Sequence, residues 1–166
     1  MARRPRRAAG GEEFIRGLVR DYKPDLDSSL KHLEESGARA SSSRVDRCNP
    51  IWLLDDDAFV LRALGRLLKS AGFSVEKFTH LIVFLSRLKQ AVCRVAVLDV
   101  RMPIMNGLEV QAYLSENSPE TRIIFVSGQD DPVVRQTALD AGAFGFLAKP
   151  FEDEVLAQLI HEAVAD

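Results

Sequence analysis

The chain has 166 residues, 46% of them hydrophobic, which is enough for one domain of ordinary size and an additional segment. Residues 1–50 carry a net charge of +3 and residues 51–166 a net charge of −5, so the main segment is unsuited to binding nucleic acid through charge. Two cysteines are too few for a disulfide framework, and no apolar run approaches the roughly 18 residues of a membrane span. We therefore expect a cytoplasmic protein without a membrane partner.

The first 49 residues predict an extension that is separate from the main domain. Residues 1–11 contain four arginines and no apolar pattern, so we expect a disordered basic tail. Helical spacing of apolar residues over 12–22 and 26–33 predicts two short amphipathic helices. Residues 37–49 are typical of a linker. This segment gives no indication of its function.

Residues 50–166 alternate strands and helices at the spacing of β–α–β units. Strands are predicted over residues 51–54, 73–78, 95–99, 122–126 and 144–148. Apolar periodicity predicts a helix after each strand, with the last helix beginning near Glu152. Right-handed crossovers then give an α/β fold with a doubly wound, five-stranded parallel sheet.

Polar residues follow four of the predicted strands: Asp55, Asp56, Asp99, Ser127 and Lys149. Because the carboxyl ends of parallel strands share one edge of a sheet, we expect these side chains to lie close together. Asp99 follows a run of small apolar residues, and on that stretch alone it could equally cap a turn. Asp57 is expected to cap the first helix of the domain rather than to bind a ligand.

Three carboxylates at one edge would repel one another unless positive charge lay among them. Lys149 supplies one such charge, and a hard divalent cation such as Mg²⁺ is the natural second. A carboxylate nucleophile, a cation, a lysine and a hydroxyl are the groups needed to receive a phosphoryl group. The strand ends therefore predict phosphoryl-transfer chemistry.

The motifs at these strand ends resemble those of the response-regulator receiver domains of two-component signalling, the CheY-like fold. The matching segments are Leu54-Asp55-Asp56-Asp57, the ten residues from Leu98 to Gly107, Val126-Ser127-Gly128 and Lys149-Pro150-Phe151. They occur in the family's order and spacing from about residue 50 to residue 166. The segments around Met102 and Lys149 look most like receivers that precede LuxR-type helix-turn-helix outputs. The resemblance implies the strand order 2-1-3-4-5.

The resemblance also implies roles at individual positions. Asp99 matches the phosphoacceptor, which takes its phosphoryl group from a sensor histidine kinase or phosphotransfer protein. The Mg²⁺ ligands would be the carboxylates of Asp55, Asp56 and Asp99 and the backbone carbonyl of Arg101. Ser127 and Lys149 match the phosphate-binding residues, and the Lys149–Pro150 bond is usually cis in the family.

Further positions match residues that modulate the response. Phe146 lies where the family has a switch aromatic, although an ordinary core aromatic fits the residue as well. Arg101 and Gln129 occupy the flanking positions that tune the lifetime of the phosphoryl group. The expected protein is a self-phosphorylating switch rather than an enzyme. It would change a partner-binding face of helix 4, strand 5 and helix 5, through which it could also form a homodimer.

Alternative functions differ in the residues that they require. A phosphatase of the haloacid-dehalogenase type needs a second acid two residues after the nucleophile, where this chain has Arg101. A dinucleotide-binding enzyme needs a Gly-x-Gly-x-x-Gly motif after the first strand, which is missing. A degenerate receiver that acts as a constitutive docking module remains an alternative. So does the receiver fragment of a DNA-binding regulator, because this chain shows no DNA-binding domain.

Overall fold

The computed structural model describes residues 49–166 and, among the first 48 positions, Gly17 alone, which is helical. The predicted basic tail, the rest of the two predicted N-terminal helices and nearly all of the linker lie outside the described residues. The domain boundary near residue 50 therefore stays a prediction. Within the described part of the chain, no helix is both long and apolar enough to cross a membrane.

Five strands alternate with five helices through residues 49–166. The strands are β1 (Ile51–Leu54), β2 (Val75–Phe78), β3 (Val95–Asp99), β4 (Arg122–Ser127) and β5 (Gly145–Ala148). The helices are α1 (Ala58–Ser70), α2 (Leu81–Leu88), α3 (Gly107–Asn117), α4 (Pro132–Asp140) and α5 (Asp153–Ala165). The alternation that the sequence predicts is confirmed.

All five strands are parallel and form one sheet in the order β2-β1-β3-β4-β5. This confirms the predicted doubly wound fold and its strand order. The order reverses at β1 and β3, and ligands bind at such a switch point in open α/β sheets. Asp55 follows β1 and Asp99 ends β3, so both acids lie where the topology opens the edge of the sheet.

The sheet is covered on both faces, which is why its central strands are apolar without alternation. One face packs against α1 and α5 through a set of buried residues: Leu53, Leu64, Leu68, Val97, Ile124, Leu156 and Ile160. The other face carries Trp52, whose ring packs against Phe78 and Phe84 at centroid distances of 5.2 and 5.6 Å. These two layers hold the strand ends in fixed positions.

Short polar side chains cap α1, α3 and α4, and the cap that the sequence predicts at Asp57 is confirmed. Asp57 accepts a hydrogen bond from the backbone N–H of Phe59 and caps α1. Asp131 caps α4 in the same way, directly before Pro132. Asn106 and Glu109 form a reciprocal capping box at the start of α3.

The second strand begins two residues later than predicted. Gly72 has a φ of +94°, and the N–H groups of Gly72 and Phe73 donate to the carbonyls of Lys69 and Leu68. This hydrogen-bonding pattern is the Schellman motif that closes a helix. Phe73 therefore completes the end of α1 instead of starting β2.

Gly107 lets α3 begin directly beneath the end of β3. A Cβ atom at this position would lie 2.6 Å from the backbone oxygen of Asp99 and 2.8 Å from the Phe125 ring. The N–H of Gly107 donates to the carbonyl of Val100 at 2.9 Å, so the approach is fixed by the backbone. Any larger residue would displace the segment that carries Asp99.

We expect Gly107→Ala to lower the free energy of unfolding by about 1–3 kcal/mol, because the added methyl group overpacks against rigid backbone. The matched control is Gly65→Ala inside α1, where the atoms nearest to the new Cβ belong to the flexible side chain of Lys77, at 3.1 Å. That variant should be neutral or up to about 1 kcal/mol more stable, since alanine favours a helix interior. Denaturation followed by the fluorescence of Trp52 measures both, and equal changes would contradict the steric argument.

Candidate functional site

Two carboxylates meet at the edge of the sheet where β1 and β3 end. Asp55 is buried, and its Oδ1 accepts a hydrogen bond of 2.8 Å from the N–H of Asp57. The Asp99 side chain is 11% exposed, and its Oδ2 accepts a hydrogen bond of 2.7 Å from the N–H of Arg101. Each carboxylate is thus oriented by the backbone of its own turn, which leaves one oxygen of each free to face the other groups of the site.

Lys149 lies between the two free oxygens. Its Nζ is 3.3 Å from Oδ2 of Asp55 and 3.5 Å from Oδ1 of Asp99. The peptide bond to Pro150 is cis, as the resemblance implies, and the N–H of Lys149 donates to the carbonyl of Ser127 at 2.7 Å. The ends of β1, β3 and β5 are therefore joined through a single ammonium group.

Burial and a neighbouring carboxylate both affect the protonation of Asp99. Burial raises the pKa of this carboxyl above its ordinary value of 3.8, and the neighbouring Asp55 carboxylate raises it further. The hydrogen bond from Arg101 and the charge of Lys149 act in the opposite direction but do not cancel the effect. The site carries more negative charge than Lys149 balances, so it favours an additional cation.

Ser127 is close to this group, but its hydroxyl is directed to its own loop. It is 3% exposed, donates to the carbonyl of Gln129 at 2.9 Å and accepts from the N–H of Gln129 at 3.1 Å. Serine commonly satisfies neighbouring backbone in this way. The hydroxyl would have to rotate to reach a group bound at Asp99.

Arg101 and Gln129 connect the two loops that flank Asp99. The Nη2 of Arg101 donates a hydrogen bond to Oε1 of Gln129. Arg101 follows β3 and Gln129 follows β4, and both side chains are exposed. The pair therefore forms a side-chain bridge beside the phosphoacceptor candidate.

The remaining predicted residues lie in different surroundings. The Asp56 side chain is exposed, and Asp57 acts as a helix cap. Phe146 is 6% exposed and packs 6.1 Å from the ring of Phe125. Within residues 49–166, no three Asp, Glu, His or Cys side chains are gathered closely enough to hold a metal ion by themselves.

Sequence reasoning missed two residues that shape this region. Gly107 permits the close approach of α3 to Asp99, and Arg135 contacts Phe146 from α4. The Asn-Gly dipeptide at the start of α3 indicates a turn but not close packing. An arginine on a helix has no signal of its own, because it resembles any solvated position.

The arrangement is suited to nucleophilic attack by a carboxylate oxygen. It combines a partly buried carboxylate, an ammonium group at 3.5 Å and a neighbouring hydroxyl. A second carboxylate on the far side of the ammonium group holds it in place. Charge that develops on a transferred phosphoryl group would meet the Lys149 ammonium group in a preorganised position, whereas the Ser127 hydroxyl would first have to rotate.

Comparison with known proteins assigns this architecture to a family. Residues 51–161 match the model of the response regulator receiver domain. The response regulator protein TodT of Pseudomonas putida F1 is 44% identical over 119 residues, which are 72% of this chain and 52% of TodT. The transcriptional regulatory protein FixJ of Bradyrhizobium diazoefficiens is 36% identical over 114 residues, 69% of this chain and 56% of FixJ. The chain thus spans about half the length of these curated relatives.

Solved structures agree with the sequence relatives. A CheY-like receiver domain protein from Methanospirillum hungatei JF-1 superposes with a TM-score of 0.66 at 25% identity, over 70% of this chain and 94% of that one. The beryllofluoride-activated DrrB receiver domain gives a TM-score of 0.64 at 27% identity, over 70% of this chain and 97% of that one. By its fold, its site and these relatives, the chain belongs to the response regulator receiver domain family.

Proposed function

We propose that residues 50–166 form a receiver domain that takes a phosphoryl group onto Asp99 and thereby changes its contact with a partner. The observation that carries the proposal is the position of Lys149, whose Nζ lies 3.3 Å from Asp55 and 3.5 Å from Asp99. An ammonium group there would pair with the phosphoryl oxygens as they arrive at Asp99. Residues 1–49 are proposed to be a separate extension.

The transfer would proceed by attack of an Asp99 carboxylate oxygen on phosphorus. The new O–P bond forms as the bond from phosphorus to the donor breaks, and the donor leaves with its electron pair. Lys149 neutralises charge on the equatorial oxygens, and Ser127 can donate a hydrogen bond to one of them after its hydroxyl leaves Gln129. A sensor histidine kinase or phosphotransfer protein is the proposed donor.

The donor set of the site fits Mg²⁺. The proposed ligands are the carboxylates of Asp55, Asp56 and Asp99 with the backbone carbonyl of Arg101. Two carboxylates share one ammonium group here, so negative charge is in excess and favours a cation. Mg²⁺ takes oxygen ligands and keeps several of its waters, so it needs few carboxylates from the protein. When bound, the ion would offset charge on the transferred group.

The bridge between Arg101 and Gln129 supports a role in the lifetime of the phosphoryl group. The two side chains are bonded to each other beside Asp99, and each lies on a loop that borders the site. We propose that the pair restricts the approach of water to phosphorylated Asp99. Slow self-dephosphorylation, and no turnover of another substrate, is the catalysis that we assign to this chain.

The proposed output surface comprises α4, β5 and α5. It exposes three apolar side chains that a partner would cover, Val133 by 74%, Val155 by 46% and Leu139 by 40%. We propose that a second copy of the chain binds this surface to form a homodimer. A groove of about 580 Å³ lies between α1 and the start of α5 and is lined in part by Lys149, Pro150 and Phe151.

With Mg²⁺ and acetyl phosphate, we expect the chain to gain one phosphoryl group that is stable in acid for minutes and labile in base. Asp99→Asn should gain none, because an amide cannot attack phosphorus. Asp140→Asn, an exposed aspartate on α4, is the matched control and should behave as wild type. Intact mass spectrometry measures the adduct, and an equal adduct on Asp99→Asn would refute the assignment.

Calorimetric titration with Mg²⁺ should show one site of which Asp56 is a ligand. We expect Asp56→Asn to weaken binding by more than about tenfold, since loss of a direct ligand exceeds the effect of losing an outer-shell partner. Asp57→Asn removes a neighbouring carboxylate that caps α1 and should leave the affinity nearly unchanged. Loss of affinity in both variants would point to general charge rather than to a defined ligand, and no binding by wild type would favour the docking-module alternative.

Asp99 should oppose folding at neutral pH. Its raised pKa means that the folded state holds the proton more tightly than the unfolded state, so stability falls as the pH rises through the window above 3.8. In the presence of a metal chelator, Asp99→Asn should therefore have a higher free energy of unfolding than wild type at pH 7. The difference between the two should shrink as the pH is lowered toward 4. Denaturant unfolding across this range measures the effect, and a gain that does not depend on pH would contradict the electrostatic cause.

A further inference from the structure

Arg135, in the first turns of α4, binds three groups at once. Its Nη2 and Nε donate to Oδ1 of Asp130 at 2.7 and 3.2 Å. Its Nη1 donates to the backbone carbonyl of Phe146 at 3.3 Å, and its Cζ lies 4.9 Å from the centroid of the Phe146 ring. One side chain thus joins the β4–α4 loop, α4 and β5.

The position of Phe146 explains why such a contact matters. β5 is at the edge of the sheet, so one side of its backbone has no strand partner. Arg135 satisfies the carbonyl of Phe146 there, while the ring packs inward against Phe125 and remains only 6% exposed. The guanidinium covers the outer surface of the ring and hydrogen-bonds the same residue, which fixes both its backbone and its side chain.

Arginine is required for this geometry. Its planar guanidinium can lie against an aromatic ring while its in-plane N–H groups bind a carboxylate and a carbonyl. A lysine ammonium group carries the same charge but lacks the planar set of N–H donors. Asp130 holds the guanidinium in place, because both Nε and Nη2 donate to the same oxygen.

The same contact reaches the phosphoacceptor through a short piece of chain. Asp130 follows Gln129 directly, and the backbone of Gln129 holds the hydroxyl of Ser127. Arg135 therefore fixes one end of the segment 127–130, whose other end supplies the hydroxyl proposed to bind the phosphoryl group. When the backbone of this loop is fixed before ligand binding, only the side chain of Ser127 has to rotate, which lowers the entropic cost of binding.

We infer that Arg135 is a positioning residue that couples occupation of the Asp99 site to the burial of Phe146. It orders the segment 127–130 on one side and holds Phe146 inward on the other. Loss of Arg135 leaves the segment 127–130 less ordered, so a phosphoryl-like ligand at Asp99 is bound more weakly. It also removes the contact that holds Phe146 inward, so the ring becomes exposed. This inference rests on the proposed function for the coupling, whereas the hold of Arg135 on Phe146 is independent of it.

The test uses the full chain labelled with fluorophenylalanine, with the resonance of Phe146 assigned from its loss in Phe146→Leu. We expect Arg135→Gln to move this resonance and to make it sensitive to the exchange of H₂O for D₂O, as exposure of the ring requires. Beryllofluoride with Mg²⁺ is the probe of the site. Its affinity for Arg135→Gln should be about fivefold lower than for wild type, which is the loss expected when one cation–π contact is removed. Arg135→Lys should show the same two changes as Arg135→Gln.

Arg122→Gln is the control, because Arg122 also forms a 2.8 Å ion pair with an aspartate, Asp166, but contacts neither Phe146 nor the β4–α4 loop. Both readouts should match wild type in this variant, and circular dichroism confirms that each variant is folded. A Phe146 resonance or an affinity that does not change in Arg135→Gln overturns the inference. If wild type does not bind beryllofluoride, the proposed function and the coupling both fail, while the fluorine resonance still reports the Arg135 contact.

Discussion

The site depends on one electrostatic arrangement, the placement of a lysine ammonium group between two carboxylates that would otherwise repel each other. Lys149 is 3.3 Å from Asp55 and 3.5 Å from Asp99, and the Asp99 side chain is only 11% exposed. The balance is incomplete, because the pKa of Asp99 remains raised by burial and by Asp55. The two carboxylates with one ammonium group therefore retain an attraction for positive charge.

The sheet makes that arrangement possible by fixing three strand ends to one edge. β1 and β3 are apolar on both faces and bury Leu53 and Val97 beneath α1 and α5. The positions of the residues that follow these strands are therefore fixed by the packing of the strands. Gly107 brings α3 so close that a single Cβ would collide with the backbone of Asp99. The position of the nucleophile is therefore set by packing of the layers around it, and its orientation by a hydrogen bond from Arg101.

The fold could be predicted almost entirely from the sequence, because the regular alternation of strands and helices leaves few topologies. The meeting of Asp55, Asp99 and Lys149 could also be predicted, since strand ends in a parallel sheet share an edge. Contacts that depend on side-chain rotamers could not. The hydroxyl of Ser127 turns to Gln129, which local backbone geometry decides, and Arg135 reaches Phe146 across eleven residues without any periodic signal. The apolar character of Phe73 predicts a strand, whereas its N–H donates to the carbonyl of Leu68 and closes α1, a contact that the sequence does not reveal.

The helices differ in how firmly they are held, and this difference indicates which part of the domain can move. α1 buries Leu61, Leu64, Gly65 and Leu68, whereas α4 buries Ala138 alone. Burial of large apolar side chains supplies most of the free energy that holds a helix on a sheet, so α4 is held weakly by its core contacts. Its position must then depend on polar contacts at its ends, from Arg135 to Asp130 and Phe146 and from Gln111 to the carbonyl of Ala138. Polar contacts are directional and can be exchanged for others at small net cost. In the function proposed here, a helix anchored in this way would respond to a charge placed at Asp99, while α1 and α5 on the other face of the sheet would keep the site in place.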